Sequence, residues 1–279
     1  MTLSIAGMSS SLALKLLDAT QTQEKTLIRT DPANARAIAG FLKDAPGITT
    51  AKDFVGSYTV YSLVMQAFDL KDQMFGKAMV RQILESDATQ SGALVNRMAD
   101  ARFTNLYNTL GFTNGGTANT TFASADWQNR MIQKFVDQQY INDEKTQNAA
   151  VGIALEFRQN APDVKTWYDI LKNKDMGSFM RSVLGLPDSV ATLDLTRQVA
   201  LFTQKYDITK LQDPAEVQKL VQKYAVLSDS ANAAASAAQN PAVVMLNATL
   251  SGADGSYVPA TLDISSIDVS ALSAAKLYG

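Results

Sequence analysis

Apolar residues recur at three- and four-residue spacing through most of the chain. Phe54, Tyr58, Tyr61, Val64, Met65 and Phe68 form one stripe, and Ile170, Met176, Phe179, Met180, Val183 and Leu184 form another. Such a stripe buries one face of an α-helix. Ala45-Pro46 and Ala161-Pro162 precede these stripes and end the helix before, because proline cannot continue one. Thr50 with Asp53, and Thr166 with Asp169, give the hydroxyl-x-x-acid signature of a helix start. Each stripe predicts one helix that ends at a Leu-x-Asp turn, where Asp72 or Asp188 caps the helix that follows. Asp100 opens a helix carrying Phe103, Leu106, Tyr107 and Leu110, with Gly111 as its stop. Ser124 opens a long helix with Trp127, Met131, Phe135 and Val136, with a break expected near Asn142 before it resumes toward Phe157. Asp213-Pro214 with Glu216 starts another, since proline suits the first helical position.

The two striped segments also align with each other. Shifted by 116 positions, Phe41–Ile83 falls on Phe157–Val199 with ten identities in 43 ungapped positions, among them Phe41/Phe157, Asp53/Asp169 and Arg81/Arg197. Chance gives roughly one identity in fifteen. The expected architecture is therefore mainly α: two tandem, internally repeated multi-helix modules with a low-complexity C-terminal tail. The modules are placed at 1–112 and 124–227, the second repeating 41–112, with a Gly/Asn-rich linker at 113–123 between them. From Ser228 to Gly279 Ala, Ser and Asn dominate, and partial order is expected at most, with a short strand or helix at Val243–Leu246 and a turn at Ala253–Ser256.

Composition changes the picture mainly by exclusion. The chain has 279 residues, 46% hydrophobic and 19% charged, with a net charge of −2. A near-neutral surface argues against nucleic acid as a partner. The absence of Cys and His from the sequence removes thiol chemistry, disulfides, and the commonest acid/base group and metal ligand. No apolar run reaches the roughly 18 residues of a membrane span, and the start shows no cleavable secretory signal. The uncharged stretch Met1–Leu14 reads as a frayed terminus, or as an uncleaved leader for a secretion machine.

Candidate chemistry is sparse. Gly115-Gly116 lacks the Lys-Ser/Thr of a phosphate loop. Asp143-Glu144 beside Lys145 reads as a solvated helix face. Arg81 and Arg197 are expected to tie to Asp72 and Asp188 within their own segments, and Arg102 to pair with an acid in the same manner. Trp127 and Trp167-Tyr168 read as core or module-interface residues. No catalytic, cofactor-binding or metal-binding residue is expected, and the chain is read as a non-enzyme without a cofactor.

Several segments together carry a family resemblance: Asn96-Arg97-Met98-Ala99-Asp100-Ala101-Arg102-Phe103, Ala67-Phe68-Asp69-Leu70, Leu184-Gly185-Leu186-Pro187, Trp167-Tyr168, and Leu193-Asp194-Leu195-Thr196-Arg197-Gln198. From about Thr26 to Val226 the chain resembles the domain of unknown function 1217 family, a mostly alphaproteobacterial group. Asp69 stands where that pattern has glycine, so the geometry of this turn is the point at which the chain departs. The resemblance implies no active site. It implies a flagellum-associated structural or accessory protein, possibly exported by the flagellar apparatus, with other flagellar or export proteins as partners. A cytoplasmic export chaperone or assembly adaptor that holds a helical client is the alternative.

Overall fold

The helix starts predicted at Thr50, Asp100, Ser124 and Asp213 each find a side-chain cap in the computed structural model, which describes residues 3–239. Thirteen α-helices and no strand occur among the described residues: α1 (Ser10–Thr30), α2 (Pro32–Asp44), α3 (Ala51–Gly56), α4 (Tyr58–Ala67), α5 (Lys77–Glu85), α6 (Leu94–Arg97), α7 (Ala101–Leu110), α8 (Ala125–Gln147), α9 (Ala149–Asn160), α10 (Trp167–Leu171), α11 (Lys174–Leu184), α12 (Leu195–Lys205) and α13 (Pro214–Gln239). Two units divide the chain, residues 1–229 and 230–279. The second is described only through the end of α13. The expected elements at Val243–Leu246 and Ala253–Ser256 lie outside the described residues.

In the first unit α8 is the central helix and packs against α1, α4 and α9. Phe41, Phe54, Tyr61, Phe112, Phe122 and Trp127 form one aromatic cluster with centroid separations of 4.5–6.3 Å. Phe157 stacks on Phe179 at 3.8 Å, and Phe179 on Tyr224 at 4.6 Å, in a second cluster. Close approach of α8 and α9 depends on Gly152, since a Cβ there would lie 2.5 Å from the Cα of Lys145.

The predicted helices differ from the observed ones in four places. First, each stripe forms two helices. Ser57 breaks the first, its Oγ accepting from Val60 N, and Asn173 breaks the second, its Oδ1 accepting from Asp175 and Met176 N. These caps lie 116 positions apart and compete with the helical ladder at the same point. Tyr58 consequently points away from the stripe and is 69% exposed. Second, the long helix breaks at Asn148 and not near Asn142. Asn148 is extended, ends α8 and caps α9 through Ala150 and Val151 N. Third, Asp72 and Asp188 cap neither following helix. Asp72 lies in a short 3₁₀ turn ahead of Gly76, the residue before α5, and α12 is capped by Asp194.

Fourth, the described start is not frayed. Ile5 is fully buried, and Ser9 caps α1, which begins at Ser10. Asp229 of α13 accepts from Ser10 N (2.6 Å), Ser11 N (3.0 Å) and Ser11 Oγ (2.7 Å), placing a carboxylate at the positive end of α1. The Gly/Asn stretch at 113–119 folds back through paired bonds between Thr113 and Ala118. It rests on α3, where Ala51 N donates to Gly116 O at 2.7 Å.

Candidate functional site

A polar cleft of about 260 Å³ opens where the end of α4 meets α7, α8, α9 and α10. Asp69 forms one lip. It follows α4 with φ +56°, a left-handed conformation that Asp tolerates better than most side chains. Leu70 N donates to Met65 O (2.8 Å) and closes the helix end. Gly185, 116 positions later, has φ +64°, and Leu186 N donates to Arg181 O (2.9 Å). The aspartate thus keeps the turn that a glycine makes. It also adds a carboxylate that the glycine lacks.

That carboxylate is held by Arg102 at the start of α7. The guanidinium donates to Asp69 Oδ2 (3.1 Å), to the Asp69 carbonyl, and to Asp100 Oδ1 and Oδ2 (3.1, 3.0 and 2.8 Å). Burial works against the arginine's charge, but its bonds to Asp100 and the charges of Asp100, Asp69 and Asp72 outweigh it and raise the pKa. Opposite lies a second chain of charges. Lys145 Nζ reaches Asp175 (2.5 Å) and Glu156 Oε2 (3.3 Å), while Asn173 Nδ2 donates to Glu156 Oε1 (2.9 Å). Glu156 is buried, and desolvation pushes its pKa up despite the Asn173 bond and Lys145. Lys134 lines the cleft from α8 with its Nζ 4.9 Å from the Phe68 ring, and burial lowers its pKa.

The sequence-level candidates distribute unevenly over this geometry. Arg102 pairs with acids as expected. Arg81 and Arg197 do not tie to Asp72 and Asp188. Each bonds along its own helix, to Glu85 (2.6 Å) and Asp194 (3.2 Å). The adjacent glutamines also part ways: Gln82 is exposed, whereas Gln198 is buried and donates to Leu193 O (2.7 Å). Trp127 and Trp167 are core residues, but Tyr168 is 45% exposed, because its neighbour Trp167 takes the inward position of a short helix.

The largest correction concerns Asp143-Glu144-Lys145. Only Asp143 is exposed. Glu144 is wholly buried and Lys145 is bridged to α9 and α11, because α1, α9 and the residues before α1 cover this end of α8. Charge pattern along one helix carries no signal of such cover. No group of three or more acidic residues among the described residues is placed to hold a metal ion. No helix among them is long and apolar enough to cross a membrane.

These features define an all-α protein in which Arg102, Lys145 and Glu156 are committed to groups of the same chain around a polar cleft. The chain belongs to the family described as protein of unknown function (DUF1217), whose model matches residues 67–217. The match includes Asp69, Arg102, Lys145 and Glu156, and is shorter than the span from Thr26 to Val226 suggested by the motifs. The fold is similar to that of a protein from Agrobacterium tumefaciens whose X-ray crystal structure was determined as a structural genomics target. The TM-score is 0.71 at 23% identity, covering 81% of this chain and 96% of that one. No curated protein matches.

Proposed function

We propose that this protein is a non-enzymatic, flagellum-associated structural or accessory component that works through protein–protein contacts. The observation that supports this reading is the use of charge in the cleft. Arg102, Lys145 and Glu156 spend their hydrogen bonds on Asp69, Asp100, Asp175 and Asn173, all groups of the same chain. Side chains engaged in this way brace helix ends and leave little capacity for acid/base work. Exposed Phe75 (86%) and Tyr58 (69%) offer aromatic contact area on the surface. The flagellar association rests on the family resemblance of the motifs. In the same reading the chain consists of two related helical modules, at 1–112 and 124–227. The matched caps Ser57/Asn173 and matched turns Asp69/Gly185 support that reading.

Fractionation of the native cell tests the proposal. The tagged protein is followed in cytoplasm, envelope and medium, with and without a working flagellar export apparatus. Export-dependent appearance outside the cytoplasm is the expected result. Retention in the cytoplasm in both strains overturns it, and then points to an export chaperone or assembly adaptor.

A further inference from the structure

Glu24 of α1 and Glu144 of α8 are both buried, at 5% and 0% exposure, and each keeps one carboxyl oxygen without a hydrogen-bond partner among the described residues. The buried Tyr140 hydroxyl, which senses both acids, also lacks a partner among the described residues. The segment 3–8 closes over this end of α8. Leu3 N donates to Glu24 Oε1 (3.0 Å), Ile5 N to Gln147 Oε1 (2.8 Å), and Asn148 Nδ2 to Met8 O (3.3 Å), while Ile5 is fully buried. Gln147 Nε2 in turn approaches Glu144 Oε2 at 3.5 Å. The strap is therefore fastened to the same groups that surround the two acids.

We propose that the Glu24–Glu144 pair is a proton-operated latch: one bound proton holds the 3–8 strap closed, and its loss releases the strap. An ionised Glu144 stands buried against the charge of Glu24, which costs free energy. A proton on Glu144 removes the like-charge conflict and converts an orphan acceptor into a donor. The other charged and titratable groups around it are few. Asp18 and Lys25 stand on α1, Asp143 on α8 itself, and Arg158 on α9, already bonded to Asp18 at 2.5 Å, while Lys25 bonds Asp137 at 2.9 Å. Glu156 of α9 is taken by Lys145. Neither α4 nor the strap residues 3–8 carry a charge. Burial, with Glu24 and then Asp143 adding repulsion, pushes Glu144 up to about 7, so the switch lies near neutrality. No third acid among the described residues joins the pair to hold a metal ion, and a proton neutralises Glu144 without one.

Amide hydrogen exchange on the full chain tests the latch, read as protection factors at Leu3 and Ile5 so that the intrinsic pH dependence of exchange is removed. Protection is expected to fall by up to roughly 10²-fold between pH 5 and pH 8, while residues in the middle of α1 hold theirs. Glu144→Gln, which keeps the shape of the neutral acid, should stay protected at pH 8. Glu24→Gln retains an acceptor for Leu3 N and should shrink the loss of protection at the strap, as the ionised Glu144 then meets no like charge. Equal protection at both pH values in the native chain overturns the proposal. So does a pH dependence that survives in both variants, or recovery of protection at pH 8 on adding millimolar Ca²⁺ or Mg²⁺, which would identify a cation site.

Discussion

Arg102 braces Asp69 in the left-handed turn that ends α4, bonding both its carbonyl and its carboxylate. One arginine thereby joins the start of α7 to the end of α4, and Asp100 fixes the arginine from the other side. The ion pair is about a third exposed and contributes little by itself. The backbone conformation is the larger effect. Asp69→Ala should destabilise the chain by about 1–2 kcal/mol, since alanine keeps the strain and loses the side-chain bond. Asp69→Gly relieves the strain and should cost under about 1 kcal/mol. Urea unfolding of both variants decides the matter, and equal midpoints for the two would remove the strain argument.

Asn173 and Ser57 end one helix and start the next at matched positions, but their surroundings differ. Ser57 is a half-buried cap whose hydroxyl also meets that of Thr59, whereas Asn173 also donates to the buried Glu156. Ser57→Ala should cost about 0.5–1 kcal/mol. Asn173→Ala should cost about 2–3 kcal/mol, because it also leaves a buried carboxylate short of a donor. Thermal or urea denaturation that ranked them in the reverse order would contradict the role given to Glu156.

Gly152 sits where α9 crosses Lys145. An added methyl would meet backbone as well as side-chain atoms, at 2.5 Å from Cα and 2.2 Å from Cβ. Gly152→Ala should force the two helices apart and cost at least about 3 kcal/mol, with loss of the Lys145–Glu156 contact. Gly47, which has nothing within 4 Å, is the control: Gly47→Ala should change stability by under about 1 kcal/mol. A Gly152→Ala protein as stable as the control would show that the interhelix spacing is not limiting.

Global stability should pass through a maximum on the acid side of neutrality. Glu144 has its folded pKa raised from 4.5 to about 7, so the folded state binds the extra proton between those values. Its contribution is complete below about pH 4.5 and is lost as the pH rises through 7, by at most about 3 kcal/mol. Asp53, Asp87 and Asp207 act in the opposite sense, since threonine hydrogen bonds lower their pKa values. Their contribution disappears as the pH falls below the carboxylate range. Urea midpoints measured from pH 3 to pH 9 should therefore fall on both sides. Glu144→Gln should flatten the alkaline limb only, and a limb unchanged in that variant would assign the loss to other groups.

Helical class, capping boxes and most core positions were legible in the chain because they depend on neighbours three or four residues away. Phe41, Phe54 and Phe157 are fully buried, as their periodicity requires, and Asp53 and Asp169 accept from the backbone N–H of Thr50 and Thr166 at 2.9 and 2.8 Å. The breaks at Ser57 and Asn173 were present as capping residues too, but the apolar stripe continues past each and masks them. The charged partners were not legible. Arg81 and Asp72 have the spacing of Arg197 and Asp188, yet every one of these side chains ends elsewhere or alone on its own turn.

What the sequence by itself determined is local: where the main helices start, which face of each turns inward, and that the chemistry of thiols and imidazoles is excluded. The tertiary structure decided which charges lose their water. Lys145, Glu144 and Asp143 are consecutive on α8, yet the first is bridged, the second buried and the third exposed. Their fates depend on α1, α9 and a strap more than a hundred residues away in the chain. Desolvation depends on everything that covers a group, and helical spacing reports only what lies within a turn of it.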